Sequence, residues 1–329
     1  MSSVQQIEVT EADDGARLDR WFKRHYPALM HGKLEKLLRK GQIRVDGGRA
    51  KSNLRLETGQ TIRVPPLDDE VAGLRRAPQR ISEEDARFIQ SLVIFENDDL
   101  IALNKPPGLA VQGGSKTTVH IDGMLEGLRP RNGERPKLVH RLDKDTSGVL
   151  VVAKTTKSAA ELSKAFQGRD IEKIYWALCV GVPHPLQGTI DLPLVKRNAG
   201  GGGERVMPAT KGDEYAQFAI SHYSVVEATG KRACWVALMP VTGRTHQLRA
   251  HMLAIGTPIV GDGKYGGEEA LLGGNISRKL HLHARQITLP GRRGNITITA
   301  PLTDHMKKSW DFFSFDENTK EDPFDGLSK

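Results

Sequence analysis

The sequence predicts an α+β protein of two domains, and three observations predict it. Residues with helical spacing and residues with strand alternation are interspersed along the chain. A polar, proline-marked stretch at residues 66–90 interrupts the apolar pattern. At 329 residues with 38% hydrophobic side chains, the chain is long enough for a large domain and a small one. The expected layout is an acidic extension at 1–14, a small basic domain at 15–65, a linker at 66–90, a main domain at 91–310 and an acidic tail at 311–329. The linker is expected to end in a short helix at 83–90, and the tail to be disordered or loosely docked.

Charge is spread unevenly. The formal net charge is +8, yet residues 15–64 hold thirteen Lys/Arg against four Asp/Glu, while the first fourteen residues hold four acids and no base. Such a basic block points to a polyanionic partner. Within it, Leu18, Trp21 and Phe22 share one face of a helix. Leu34, Leu37 and Leu38 share a face of a second, with Lys33, Lys36, Arg39 and Lys40 opposite. The two are broken near Pro27, and Gly41 stops the second. Residues 42–46, which include Arg44, alternate as a strand, and 54–64 supply further short strands.

In the main domain, residues 92–108 read as strand, turn, strand and a proline stop. Residues 157–169 read as an amphipathic helix and 171–180 as a strand. Residues 196–213, with Gly200 to Gly203 consecutive, read as a mobile surface loop, either touching RNA backbone or serving as a flexible hairpin connection, the latter favoured. A hairpin at 225–228 and 233–240 turns at Thr229-Gly230-Lys231, 241–252 mixes apolar and basic residues at helical spacing, and 280–284 alternates with both histidines on one face. No run of about 18 apolar residues suggests a membrane span, and the N-terminus lacks the apolar core of a signal peptide. Cys179 and Cys234 sit in apolar runs without CxxC spacing, as buried free thiols of a reducing cytoplasm would. His246 and His251, five residues apart, do not share a helical face, so no metal site is expected. Gly113-Gly114-Ser115-Lys116 lacks the spacing of a phosphate-binding loop.

The most informative stretch is 137–153. A polar cluster closed by Gly148 leads into the apolar run Val149 to Ala153, which reads as a buried strand. Asp143 lies between Arg141 and Lys144, cations that favour a carboxylate's charged form. By spacing alone a polar turn before a strand is the favoured reading, and a strand tyrosine such as Tyr175 is more often a filler of core or edge. The whole string HRLDKDTSGVLVVAK resembles the signature of the RluA family of pseudouridine synthases. KIYWAL, TGRTHQLRAH and GDGKYG resemble further strings of that family, and ARLDRWF, KLEKLLRKGQIRVDG and LETGQTIRV resemble the S4 RNA-binding domain.

The resemblance implies a pseudouridine synthase catalytic domain, a mixed and largely antiparallel sheet flanked by helices and loops, preceded by an S4-like domain. It implies isomerisation of uridine in RNA with Asp143 as the catalytic residue, Tyr175 beside the base, and Arg249 as the basic partner of Asp143, with Arg244 the weaker candidate. Arg141, His140, Arg244 and His246 would hold RNA and flip the base, with Arg141 as the wedge. Arg17, Lys33, Lys36, Arg39, Lys40 and Arg44 would form the RNA face of the S4-like domain. The reaction consumes nothing, so no cofactor, nucleotide or metal is expected. The implied partner is RNA, large-subunit rRNA during ribosome assembly, with neither DNA nor membrane, and the implied form is a cytoplasmic monomer. Other readings stay open here: the same isomerase on other uridines or on tRNA, a non-catalytic RNA-binding protein on this fold, and a hydrolase using Asp143 and Asp145 as paired carboxylates.

Overall fold

The computed structural model describes residues 4–10, 13–26, 28–67, 81–113, 119–168, 170–198, 204–292, 294–319 and 322–325. The chain divides into two compact units, residues 1–80 and 81–329.

In the first unit the helical spacing forms α1 (Leu18–His25), which buries Leu18, Trp21 and Phe22, and α2 (His31–Arg39), which buries Leu34 and Leu38. Strands β1 (Gln5–Glu8), β2 (Arg44–Val45), β3 (Gly48–Arg49) and β4 (Thr61–Val64) make an antiparallel sheet in the order β1-β4-β2-β3. One core joins helices and sheet through Trp21, Phe22, Ile43, Leu56 and Ile62. The expected acidic extension at 1–14 is overturned. β1 pairs with β4, Val9 is buried, and the buried Asp13 carboxylate accepts from Trp21 Nε1 at 3.1 Å while contacting Arg24 and His25. Its acids suggested solvation, but Ile7 and Val9 pack on the core and Asp13 is buried with partners enough to offset its desolvation.

The second unit opens with α3 (Glu83–Ser91). Ser82 Oγ accepts from Asp85 N, and three acids occupy the first turn, where the helix dipole favours them. Ile89 is fully buried in the core of this unit, so the expected linker ends before this helix; residues 68–80 lie outside the described residues. There follow β5 (Val93–Glu96), β6 (Leu100–Lys105), α4 (Ile121–Met124), β7 (Lys137–Leu138), β8 (Ser147–Ala153) and α5 (Thr156–Gln167). Next come β9 (Glu172–Val180), β10 (Gln187–Asp191), β11 (Leu194–Asn198), β12 (Glu204–Pro208), β13 (Ile220–Thr229) and β14 (Ala233–Pro240). The unit ends with α6 (Gln247–Ala254), β15 (Leu282–Gly291), β16 (Gly294–Thr299) and α7 (Asp304–Phe313).

Ten strands form one sheet in the order β10-β13-β14-β9-β15-β8-β6-β5, with β16 beside β15 and β7 beside β8. Its pairings are antiparallel except β15 with β8, which matches the mixed, largely antiparallel sheet expected. All seven residues of β8 are buried, as its apolar run predicts. The parallel contact is short, joining Ser147 to His283 and Gly148 to Ala284. Gly148 has φ +106, and a Cβ there would lie 2.2 Å from Ala284 O, so only glycine lets the strands meet.

Two further expectations change. β11 and β12 pair antiparallel, so 196–213 is in part strand, in line with the hairpin-connection reading rather than a loop throughout; its glycine run lies outside the described residues. The described part of the tail is docked rather than loose: Phe315 and Phe324 join Trp310, Trp176 and Trp235 in one core cluster. The acids at 311–329 masked an aromatic pattern that burial repays. Cys179 and Cys234 are buried free thiols at matching positions of β9 and β14. Among the described residues no helix is long and apolar enough to cross a membrane. Gly148→Ala is expected to destabilise the protein by about 4 kcal/mol or more, in the exceptional range for one substitution, as read by urea unfolding.

Candidate active site

Asp143 sits in the loop that enters β8, and the loop is anchored from beneath. Lys105, at the end of β6, is fully buried, and its Nζ donates to the carbonyls of Pro106 (2.9 Å), Leu109 (2.8 Å) and Lys144 (2.8 Å). Burial pulls its ammonium down to about 7, against the pull of the Asp145 and Asp143 charges. Gly108 N also donates to Lys144 O at 2.9 Å, so the proline turn and the aspartate loop are tied together.

Above the loop lies a cavity of about 290 Å³, lined by seven of the residues singled out in the sequence: His140, Arg141, Asp143, Tyr175, Arg244, His246 and Arg249. Tyr175 projects from β9, and burial, then the Asp143 charge, pushes its phenol above the ordinary tyrosine value, so it stays protonated. Asp143 is the sole carboxylate among the described residues lining the cavity, whereas Asp145 is exposed and does not line it. The paired-carboxylate hydrolase loses its second acid.

The Arg249 expectation is corrected. Its guanidinium is buried and donates to Asp262 through Nε and Nη2, both at 2.7 Å, so the fork is filled by Asp262 and not by Asp143. Burial opposes its charge, and the hydrogen bonds and charge of Asp262 outweigh burial, with the Asp143 charge adding to them. The ring nitrogen facing Asp143 is instead that of His246, whose Nε2 lies 3.8 Å from Oδ2. His246 adopts φ 52 at the start of α6, and its Nδ1 bonds the Tyr265 hydroxyl at 3.0 Å, which turns Nε2 toward Asp143. Burial lowers its basicity, and the Asp143 charge works the other way.

Three supports were not among the site residues expected from the sequence. Asp262 lies thirteen residues beyond Arg249, and its one signal was a lone acid in GDGKYG. Tyr265, from the same string, lays its ring 4.9 Å from the Arg249 guanidinium. Gln247 is buried and fully used: its Oε1 accepts from Thr242 Oγ1 (2.8 Å) and Arg244 N (3.0 Å), and its Nε2 donates to Ile220 O (2.8 Å) and Ser221 Oγ (2.9 Å). That amide fixes the turn presenting Arg244 and His246.

His140 is a support rather than a bare RNA contact. Its Nε2 accepts from Val151 N at 2.8 Å and its ring stacks on Phe166 at 4.2 Å. Burial, helped by the Lys173 charge, lowers it to about 3, so it is neutral. Arg141 and Arg244 are exposed at the rim, and Arg244 Nε donates to Phe218 O at 3.0 Å. His251 bonds Ser221 Oγ and Leu192 O, and no cluster of three or more metal-ligating side chains occurs among the described residues. Arg17, Lys33, Lys36, Arg39, Lys40 and Arg44 are exposed on the first unit and do not line this cavity. Arg17 pairs with Asp19 at 2.7 Å, and Arg44 donates to Gly41 O and Gly47 O.

A family model described as RNA pseudouridylate synthase matches residues 99–254. With relatives 33–38% identical over most of its length, the chain belongs to the RNA pseudouridine synthases of the RluA type. It is similar to the ribosomal large subunit pseudouridine synthase C of Rickettsia typhi, 38% identical over 83% of this chain and 88% of that protein. The protein of the same name from Vibrio cholerae is 33% identical over 94% of this chain and 96% of its own. Among solved structures, human RNA pseudouridylate synthase domain containing 4 matches with a TM-score of 0.59 and 30% identity, over 70% of this chain and 95% of that one.

Lys105 yields a pH test. Its folded value of about 7 lies below the ordinary 10.5, so between these the unfolded chain holds a proton that the folded one releases. Its contribution is therefore full above pH 10.5 and lost as pH falls toward 7. Lys105→Met is expected to lower stability by about 3 kcal/mol by stranding buried carbonyls, and to flatten the rise of stability with pH in that window, both measured by urea unfolding.

Proposed function

We propose that this protein isomerises uridine to pseudouridine in large-subunit ribosomal RNA, with Asp143 as the catalytic carboxylate. The observation that carries the reading is one carboxylate, the sole one among the described lining residues, in a cavity walled by a half-buried tyrosine and a clamped arginine. The names of the relatives support large-subunit rRNA as the substrate class.

The chemistry breaks the N-glycosidic bond, turns the base, and rejoins it through C5. Asp143 acts on the flipped nucleoside, either at C6 of the base or at the ribose. The Tyr175 ring packs against uracil, with its protonated hydroxyl near the proton that leaves C5. Arg249, locked by Asp262, contributes a fixed positive field to the cavity. Leu142, Leu248 and Leu282 in the lining help keep water from the detached base. Arg141, exposed at the rim, fills the gap the flipped base leaves. A non-catalytic RNA-binding role is disfavoured, because gripping a phosphate backbone needs no carboxylate and phenol lining one cavity.

The first unit, a helix pair and small sheet with Lys36, Arg39 and Lys40 exposed on and after α2, acts as an S4-like RNA-binding module. The enzyme works as a cytoplasmic monomer on rRNA during ribosome assembly.

Carbodiimide mapping of pseudouridine on large-subunit rRNA, in cells with and without the gene, tests the activity and its substrate together. Discrete stops are expected to vanish without the gene and to return with wild type. An unchanged rRNA map with altered tRNA would move the substrate, and no change in either would sink the isomerase. Asp143→Asn is expected to cut turnover by about 10⁴-fold or more, measured as tritium release from uridine-labelled transcript, with RNA affinity largely kept. For the first unit, Lys36→Ala, Arg39→Ala and Lys40→Ala together are expected to reduce the slope of log affinity against log salt by about 2 to 3; an unchanged slope would remove these residues from the interface.

A further inference from the structure

Residues 209–219, between β12 and β13, have no part in the chemistry above, yet they hold two aromatic rings in solvent. Tyr215 is 82% exposed and Phe218 is 50% exposed. A single exposed ring needs no explanation, but these stand three residues apart on backbone fixed at both ends. The Asp213 carboxylate accepts from Thr210 N (2.6 Å) and Thr210 Oγ1 (2.9 Å) and pairs with Arg197 (2.6 Å). Ala216 N donates to Asp213 O at 3.2 Å, closing a turn that contains Tyr215. Gln217 and Leu194 exchange two backbone hydrogen bonds of 2.8 Å, and Ala219 is buried with Leu194, Val206 and Tyr265.

The segment is also joined to the cavity rim. Arg244 Nε donates to Phe218 O, Ile220 N donates to Thr242 Oγ1 at 2.9 Å, and Gln247 Nε2 donates to Ile220 O. Thr242, Arg244 and Gln247 all line the cavity. Lys211 and Arg244 are exposed cations of this surface, and Glu214 is its exposed acid.

We propose that Tyr215 and Phe218 are a stacking platform for the unpaired bases flanking the target uridine. The claim rests on the reading of the cavity as a uridine site. Flipping one nucleoside strips its neighbours of a stacking partner, and an aromatic face replaces what they lose. Every base has such a face, so the platform selects for unpaired RNA rather than for a sequence, while Lys211 and Arg244 meet the phosphates between bases. Asp213 is a positioning residue, because it shapes the turn without touching RNA.

The test uses the full-length protein and two fluorescent probes, single-stranded oligouridylate of about 12 nucleotides and an RNA duplex of the same length. Tyr215→Leu with Phe218→Leu keeps apolar bulk but removes the π faces. It is expected to weaken binding of the single strand by about tenfold or more and to change duplex binding far less. Tyr215→Phe is expected to retain wild-type binding. In tritium release from large-subunit rRNA transcript, the loss should fall on KM more than on kcat. Equal weakening for single strand and duplex, or no weakening for the single strand, overturns the platform. Should wild type release no tritium, the isomerase reading fails, while the binding ratios still decide whether the rings stack on unpaired bases.

Discussion

The ammonium of Lys105, shut off from water, donates to the carbonyls of Pro106, Leu109 and Lys144. A buried cation is tolerated only where its donors are satisfied, and here the acceptors are all backbone. One end of that arrangement is the proline turn after β6, and the other is the residue next to Asp143. These hydrogen bonds thus convert the end of a core strand into a clamp on the loop that carries the carboxylate. Lose the clamp and the polar residues 140–146 become an ordinary turn, free to drift relative to Tyr175 on β9. A second constraint sits at the other end of the loop, where Gly148 brings β8 against β15 without a side chain between them. The carboxylate is therefore held from two sides by backbone contacts rather than by its own hydrogen bonds.

The arginine expected to pair with Asp143 is used differently, and the difference has a consequence for the chemistry. A carboxylate tied bidentately to a guanidinium has its lone pairs occupied by strong donors, which makes it a poor nucleophile or base. Asp262 takes that place, through a fork of two 2.7 Å bonds. Asp143 keeps its oxygens for substrate, with His246 no closer than 3.8 Å, and still sits in the field of Arg249. Separating the carboxylate that fixes the arginine from the carboxylate proposed to react reconciles a rigid site with a usable one.

Much of this was legible in the sequence because its cause is local. The apolar run from Val149 to Ala153 gives a buried strand, the leucine spacings give α1 and α2, and the HRLD string with its companions locates Asp143, Tyr175 and Arg249 around one cavity. What was not legible depends on distance along the chain. Asp262 becomes a partner of Arg249, and Gln247 an anchor of the strand at Ile220, only after folding brings the segments together. The acidic ends misled for a related reason: charge density hid Val9 and Phe315, whose burial is decided by surfaces elsewhere in their own units. The helix at Glu83–Ser91 was read as the end of a linker, because a single buried Ile89 carries its attachment.

The histidines close the electrostatic picture. Burial lowers His140, His251, His281 and His283 alike, and each has hydrogen-bond partners inside the protein. His246 is lowered for the same reason. These rings are neutral near pH 7, so they orient neighbours without adding charge. Asp262 pairs with Arg249, and the Arg249 charge still acts on Asp143. Among the described residues lining the cavity, what remains is one negative group, Asp143, the cation Lys173 on β9, and exposed cations at the rim, Arg141 and Arg244. A polyanion is drawn to such a rim, and only a nucleoside turned out of its strand, with its uncharged base leading, can go past it to a lone carboxylate.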